Sequence, residues 1–152
     1  MTGEPLVVAS PLPGRVLPLS DVPDFVFAEE MVGPGIAVDP DPGPSTAVAP
    51  VDGRVVVLHA HAFVVQTASG RGVLVHLGID TVQLEGHGFE LLAAVGDEVT
   101  AGTPVVRWDP GAVAAAGRAP VCPVIALDAP PGAVERLAGE RAEAGTALFR
   151  WS

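Results

Sequence analysis

Aliphatic residues occur along the chain in short runs, each cut by Gly, Pro, Asp or Ser, and within several of them apolar and polar positions alternate with a period of two. Leu6-Val7-Val8-Ala9, closed by Ser10-Pro11, predicts a short strand or a frayed end. The stretch Pro11-Leu12-Pro13-Gly14-Arg15-Val16-Leu17-Pro18-Leu19 is echoed 39 positions later by Pro50-Val51-Asp52-Gly53-Arg54-Val55-Val56-Val57-Leu58. The echo predicts two units of turn followed by strand, with the glycine supplying the backbone conformation that the turn needs. Residues 54–67 predict a pair of strands around His59-Ala60-His61, and Gly70-Arg71-Gly72 turns the chain into Val73-Leu74-Val75-His76. On a continuous strand residues two apart share a face, so Val57, His59, His61 and Phe63 would point one way, as would Leu74 and His76 on the next strand. A bulge near residue 60 would break that register.

The remaining segments are read in the same way. Residues 21–33 hold one helical turn, 39–45 are loop-like, and 95–108 form a Gly-Asp corner followed by an apolar strand. The Ala-rich segments 111–118 and 132–144 predict two short helices, and 146–151 a closing strand. No linker divides the chain, so residues 1–152 are expected to be one domain. Its 152 residues suffice to bury a core without disulfides or metal. Abundant Val, Gly and Pro with few aromatics predict a mostly β chain with tight turns.

The net charge of −10 argues against a sequence-independent grip on nucleic acid or on an anionic membrane surface. The single cysteine, Cys122, has no partner for an intrachain disulfide and reads as an inert core residue. No apolar run reaches the length of a membrane span, and residues 1–10 lack the signature of a signal peptide. Direct membrane insertion is therefore not expected, and a reducing cytoplasm is the expected compartment.

All four histidines fall between positions 59 and 87, and His76 interrupts an otherwise aliphatic strand. A partly buried histidine satisfied by a backbone carbonyl is the bland account of such a position. Two histidines, His61 and His76, on adjacent strands favour chemistry. A neutral imidazole is a good nucleophile near neutral pH, and a hydrogen bond to its second nitrogen selects the reactive tautomer. Phosphoryl transfer needs mainly positioning and charge stabilisation, which a second imidazole can supply. No lysine is present to do so. Asp80 fits a turn-capping carboxylate as well as a role at the site. His59 reads as an exposed strand residue and His87 as a turn residue.

Asp21-Val22-Pro23-Asp24 with Val26-Phe27-Ala28-Glu29, Ala49-Pro50-Val51-Asp52-Gly53, His61-Ala62-Phe63 and Val75-His76-Leu77-Gly78-Ile79-Asp80-Thr81-Val82, with Leu84, Gly86, Gly88 and Phe89, carry a likeness. Together they closely resemble the glucose-type IIA component of the bacterial phosphoenolpyruvate-dependent sugar phosphotransferase system, from about Pro11 to the C-terminus. The resemblance implies an all-β fold, a compact antiparallel β-sandwich of barrel-sandwich type with short helical turns. It implies that His76 is phosphorylated through Nε2 by the histidine-containing phosphocarrier protein and passes the group to a cysteine of a IIB domain. His61 would stabilise the group without carrying it. Val26, Phe27, Val32, Val57, Phe63, Leu74, Asp80 and Val82 would form the partner-docking surface. No cofactor or metal is implied. Three positions depart from the family pattern: His59 replaces the threonine that orients the neighbouring histidine in enteric relatives, and Val57 and Leu74 replace aromatics.

A zinc hydrolase of the lysostaphin type, with His61, His76 and Asp80 as ligands, is the competing expectation, from the H-x-H and H-x-x-x-D spacings. The order of the motifs is the reverse of that family's. A biotinyl or lipoyl carrier is suggested by Gly96-Asp97-x-Val99-x-x-Gly102, but the acceptor lysine is missing.

Overall fold

The computed structural model describes residues 4–152, and nearly all of its regular structure is strand. The strands are β1 (Leu6–Ala9), β2 (Gly14–Pro18), β3 (Gly35–Pro40), β4 (Ser45–Val48), β5 (Gly53–His59), β6 (Ala62–Gln66) and β7 (Gly72–His76). There follow β8 (Phe89–Leu91), β9 (Glu98–Val99), β10 (Pro104–Trp108), β11 (Cys122–Ala126), β12 (Val134–Arg136), β13 (Arg141–Ala142) and β14 (Ala147–Trp151). Two short helices, α1 (Phe25–Ala28) and α2 (Pro110–Ala115), begin at the side-chain caps Asp24 and Asp109, which accept bonds from the first free amides. Every strand pair is antiparallel.

One eight-stranded sheet runs β13-β2-β3-β11-β7-β6-β5-β9, and two three-stranded sheets run β1-β14-β12 and β4-β10-β8. The result is the expected antiparallel β-sandwich. Its main core takes Val55, Phe63, Val65, Val73 and Val75 from the large sheet and Trp108, Leu148 and Phe149 from the small ones. A second core lies on the outer face of β3 and β11, where residues 19–32 cover the sheet and bury Leu19, Val22, Phe27, Ala37 and Ile125.

The large sheet repeats itself about its centre. Val75 of β7 pairs with Val124 of β11, and outward from that pair β6, β5 and β9 answer to β3, β2 and β13. Matching bonds tie the ends, Val16 N–H to Glu140 O at 2.9 Å and Val55 N–H to Asp97 O at 3.0 Å. The 39-residue echo therefore marks a structural repeat, but its glycines serve differently than expected. Gly14 and Gly53 have no left-handed backbone; a Cβ on either would stand 2.2 Å from a carbonyl oxygen of the neighbouring strand, Asp39 and Gln66 respectively.

Two further expectations fail. Residues 132–144 form no helix but the edge strands β12 and β13. The segment from Gly139 to Thr146 repeats the Gly96-Asp97-Glu98-Val99 corner, and its backbone bonds to neighbouring strands outweigh the helix propensity of its alanines. Phe63 does not share a face with Val57 and His59, because the chain reverses at Ala60-His61 between β5 and β6. The irregularity in β5 lies between Val55 and Val57, not near residue 60.

Candidate functional site

β5, β6 and β7 lie side by side, and their registers align His59 with Ala62 and Ala62 with His76. Residues directly opposite point to one face, so two histidines flank an alanine across three strands. His61 occupies the turn between β5 and β6, and its carbonyl accepts a bond from Leu77 N–H at 2.7 Å. Its ring centroid lies 5.3 Å from that of His76, edge-on at 71°, and 5.6 Å from that of His59, stacked at 13°. The three imidazoles thus form one contiguous group.

His76 ends β7, and the chain then curls back beneath it. Gly78 takes φ +80°, and a Cβ there would meet the Thr81 methyl at 2.7 Å, so the turn requires glycine. The turn is held by Ile79 N–H donating to Ala119 O at 2.8 Å and by the Thr81 hydroxyl donating to Leu77 O at 2.7 Å. It delivers the Gly78 carbonyl to within 2.6 Å of His76 Nδ1. A carbonyl can only accept, so Nδ1 carries the proton and a neutral ring keeps its lone pair on Nε2.

On the other side of the ring, Asp24 caps α1 by accepting from Val26 N–H and Phe27 N–H, which places the Phe27 ring 5.1 Å from His76. Burial lowers the pKa of His76; the Gly78 carbonyl and then the charges of Asp24 and Asp80 oppose the shift. His61 is also lowered, first by burial and then by the neighbouring His76 and His59. Both rings are therefore held toward the neutral form.

Around this group, Val57, Val64 and Leu74 form a ladder across β5, β6 and β7, with Val57 exposed and Leu74 half-buried. Val26 and Val82 are exposed, Asp80 is exposed in a left-handed backbone, and Val32 is half-buried. Phe63 is a correction: it is completely buried on the opposite face of β6 and offers nothing to a partner. Phe27 is also mostly buried and acts as a wall for His76 rather than as open surface. Phe25 in α1 and Met31 in the bend after it, 71% and 63% exposed, lie outside the expected set. The Asp24 cap was the available signal, since it fixes the phase of α1 and hence which of its apolar residues turn inward.

Cys122 is fully buried, and burial pushes its thiol far above the ordinary range. Among the described residues no group of three or more His, Cys, Asp or Glu side chains is arranged to hold a metal ion, so the donor set of the zinc expectation is not assembled. No helix among them is long and apolar enough to cross a membrane.

Comparison with known proteins identifies the family. A family model described as phosphoenolpyruvate-dependent sugar phosphotransferase system, EIIA 1, matches residues 6–130. A mannose-specific EIIBCA component of Corynebacterium glutamicum is 36% identical over 97% of this chain, which spans only 22% of that protein's length. A glucose-specific EIIA component of Staphylococcus aureus is 42% identical over 68% of this chain and 63% of its own. The solved structure of glucose permease IIA from Mycoplasma capricolum superposes with a TM-score of 0.88 at 33% identity, covering 97% of this chain and 96% of that one. The β-sandwich, the paired histidines and these matches lead to one conclusion: the chain belongs to the EIIA 1 family of the phosphoenolpyruvate-dependent sugar phosphotransferase system.

Proposed function

We propose that the chain is a phosphoryl relay in sugar uptake in which His76 is the carrier and His61 its helper, working in the cytoplasm. The observation that carries this reading is the 2.6 Å contact of His76 Nδ1 with the Gly78 carbonyl, which reserves Nε2 for attack. The lone pair of Nε2 forms a bond to the phosphorus of the phosphohistidine on the histidine-containing phosphocarrier protein as the donor's P–N bond breaks. A IIB-domain cysteine thiolate then attacks the same phosphorus, the N–P bond breaks, and its electron pair returns to Nε2. Each step is an in-line displacement that calls mainly for alignment and for donors to the phosphoryl oxygens.

His61 lies against His76 in the place from which such a donor would act. The docking surface is the open face around the histidines: Val57, Leu74 and Val82 with Val26, rimmed by Asp80, Phe25, Val32 and Met31. Fusion of a IIA region to IIB and IIC regions in the EIIBCA relatives supports a IIB partner.

Incubation with phosphoenolpyruvate, the general phosphotransferase enzyme and the phosphocarrier should label the protein with acid-labile, base-stable phosphate, and His76→Ala should abolish the label. Label that survives His76→Ala would overturn the assignment. His61→Ala should still accept phosphate but pass it to a purified IIB domain poorly; normal onward transfer would remove His61 from the mechanism.

A further inference from the structure

Resting on the relay reading above, we infer that Thr81 is the positioning residue of His76: its side chain clasps the turn of residues 77–81 and so aims the one carbonyl that decides which nitrogen of the carrier ring is free. The chain of contacts starts at the peptide that joins Gly78 to Ile79.

A trans peptide is planar, and its C=O and N–H point in opposite directions. The Gly78 carbonyl lies 2.6 Å from His76 Nδ1, while the N–H of the same peptide, that of Ile79, donates to Ala119 O at 2.8 Å. Rotation of the plane would lose both bonds together. The turn that contains it is not a relaxed one. Gly78 has φ +80°, and Asp80, a residue with a Cβ, has φ +60°, a region that side chains other than glycine's enter at a cost. The Asp80 carboxylate does not offset that cost locally, since it makes no capping bond to residues 81–84. Another group has to hold the turn closed.

Thr81 does so with both arms of its side chain. It is 1% exposed, and its hydroxyl donates to Leu77 O at 2.7 Å, joining the two ends of the segment. Leu77 is itself anchored, through its N–H to His61 O at 2.7 Å. The Thr81 methyl lies 2.7 Å from where a Cβ on Gly78 would stand, so it packs directly on that glycine. One torsion sets both arms of a β-branched side chain, and the bond to Leu77 therefore also seats the methyl. Without the hydroxyl, Leu77 O becomes a buried acceptor that has lost its donor, and the turn shifts to recover one. The Gly78 carbonyl then moves off Nδ1. Because the tautomer of a neutral imidazole follows the acceptor it meets, part of the population places its proton on Nε2 and blocks the attacking lone pair.

The test compares Thr81→Val, which keeps the shape and loses the hydroxyl, with Thr81→Ser, which keeps the hydroxyl. The first reading is the NMR shifts of the imidazole nitrogens in the isolated protein at about pH 8, with the rings neutral, and does not depend on activity. Wild type and Thr81→Ser should show His76 protonated on Nδ1 and free on Nε2. Thr81→Val should show a mixture of the two tautomers at His76 and unchanged shifts at His61. In rapid-quench transfer from the phosphocarrier, Thr81→Val should load at least about tenfold more slowly than wild type, and Thr81→Ser should recover most of that loss. A single wild-type tautomer in Thr81→Val, loading of Thr81→Val at the wild-type rate, or mixed tautomers in Thr81→Ser would each overturn the proposal, and the last decides it even if Thr81→Val does not fold. A change at His61 as large as that at His76 would mean general loosening rather than lost aim, and would overturn it too. Failure of wild-type protein to be labelled at His76 would instead overturn the relay reading and leave the tautomer comparison standing.

Discussion

His61 and His76 depart from the ordinary histidine value of 6.5 in the same direction and for the same leading reason, burial of the ring. The unfolded chain takes up protons at the ordinary value, and the folded chain only at lower pH. Stability contributed by the neutral rings is therefore complete above about pH 6.5, falls as the pH drops from there toward the lowered folded values, and levels off beneath them. For His76 the Gly78 carbonyl, Asp24 and Asp80 limit the effect, since they favour the charged ring. Urea denaturation followed between pH 7 and pH 5 should show the midpoint falling in wild type and a shallower fall in His76→Asn. An equal fall in both would show that burial of this ring does not govern the titration. The same shift keeps the Nε2 lone pair available into mildly acidic solution, where a free imidazole would be largely protonated.

At the scale of the element, β6 separates what a partner could meet from what the core requires. Phe63→Ala removes a ring that is fully buried and should cost about 3–5 kcal/mol of stability in denaturant titration. Leu74→Asp, on the half-buried outer ladder, should fold and yet raise the KM for the phosphocarrier by about tenfold, as expected for charge placed in an apolar contact. Equal effects of both on stability would mean that the outer face is not free. The mistaken placement of Phe63 shows where sequence reading ends: the strand pair around Ala60-His61 was legible, but alternation reports a face only while a strand continues, and the turn sets His59 opposite Ala62 and Phe63 on the other face. The adjacency of His61 and His76 was legible because a short turn brings successive strands together. That the Gly78 carbonyl orients His76 was not, since a peptide oxygen has the same identity at every position. Strands β3 and β11 escaped notice because both their faces are covered, so their residues are apolar without alternation. The false helix at 132–144 came from weighing alanine content above the corner that its sequence shares with 96–103.

Taken whole, the large sheet is two similar halves covered to different extents. Residues 19–32 seal β3 and β11 and reach β7 at Leu74 and His76, while Val57 and His59 of β5 stay exposed. The two halves should also share a weakness. Gly14→Ala and Gly53→Ala each place a methyl group against a carbonyl of the adjacent strand, and each should cost about 1–3 kcal/mol in denaturant titration. A neutral result at either would show that the strands can separate there. On the proposed relay a partner has to tell the loaded protein from the empty one. The proton that Gly78 accepts from His76 is on the nitrogen opposite the one proposed to carry phosphate, so the bond survives loading and the turn has no reason to move. On the proposed relay the turn beneath His76 keeps its bond in both states, which differ there by the phosphoryl dianion. A partner that sorts them by this charge should discriminate less well as the ionic strength rises.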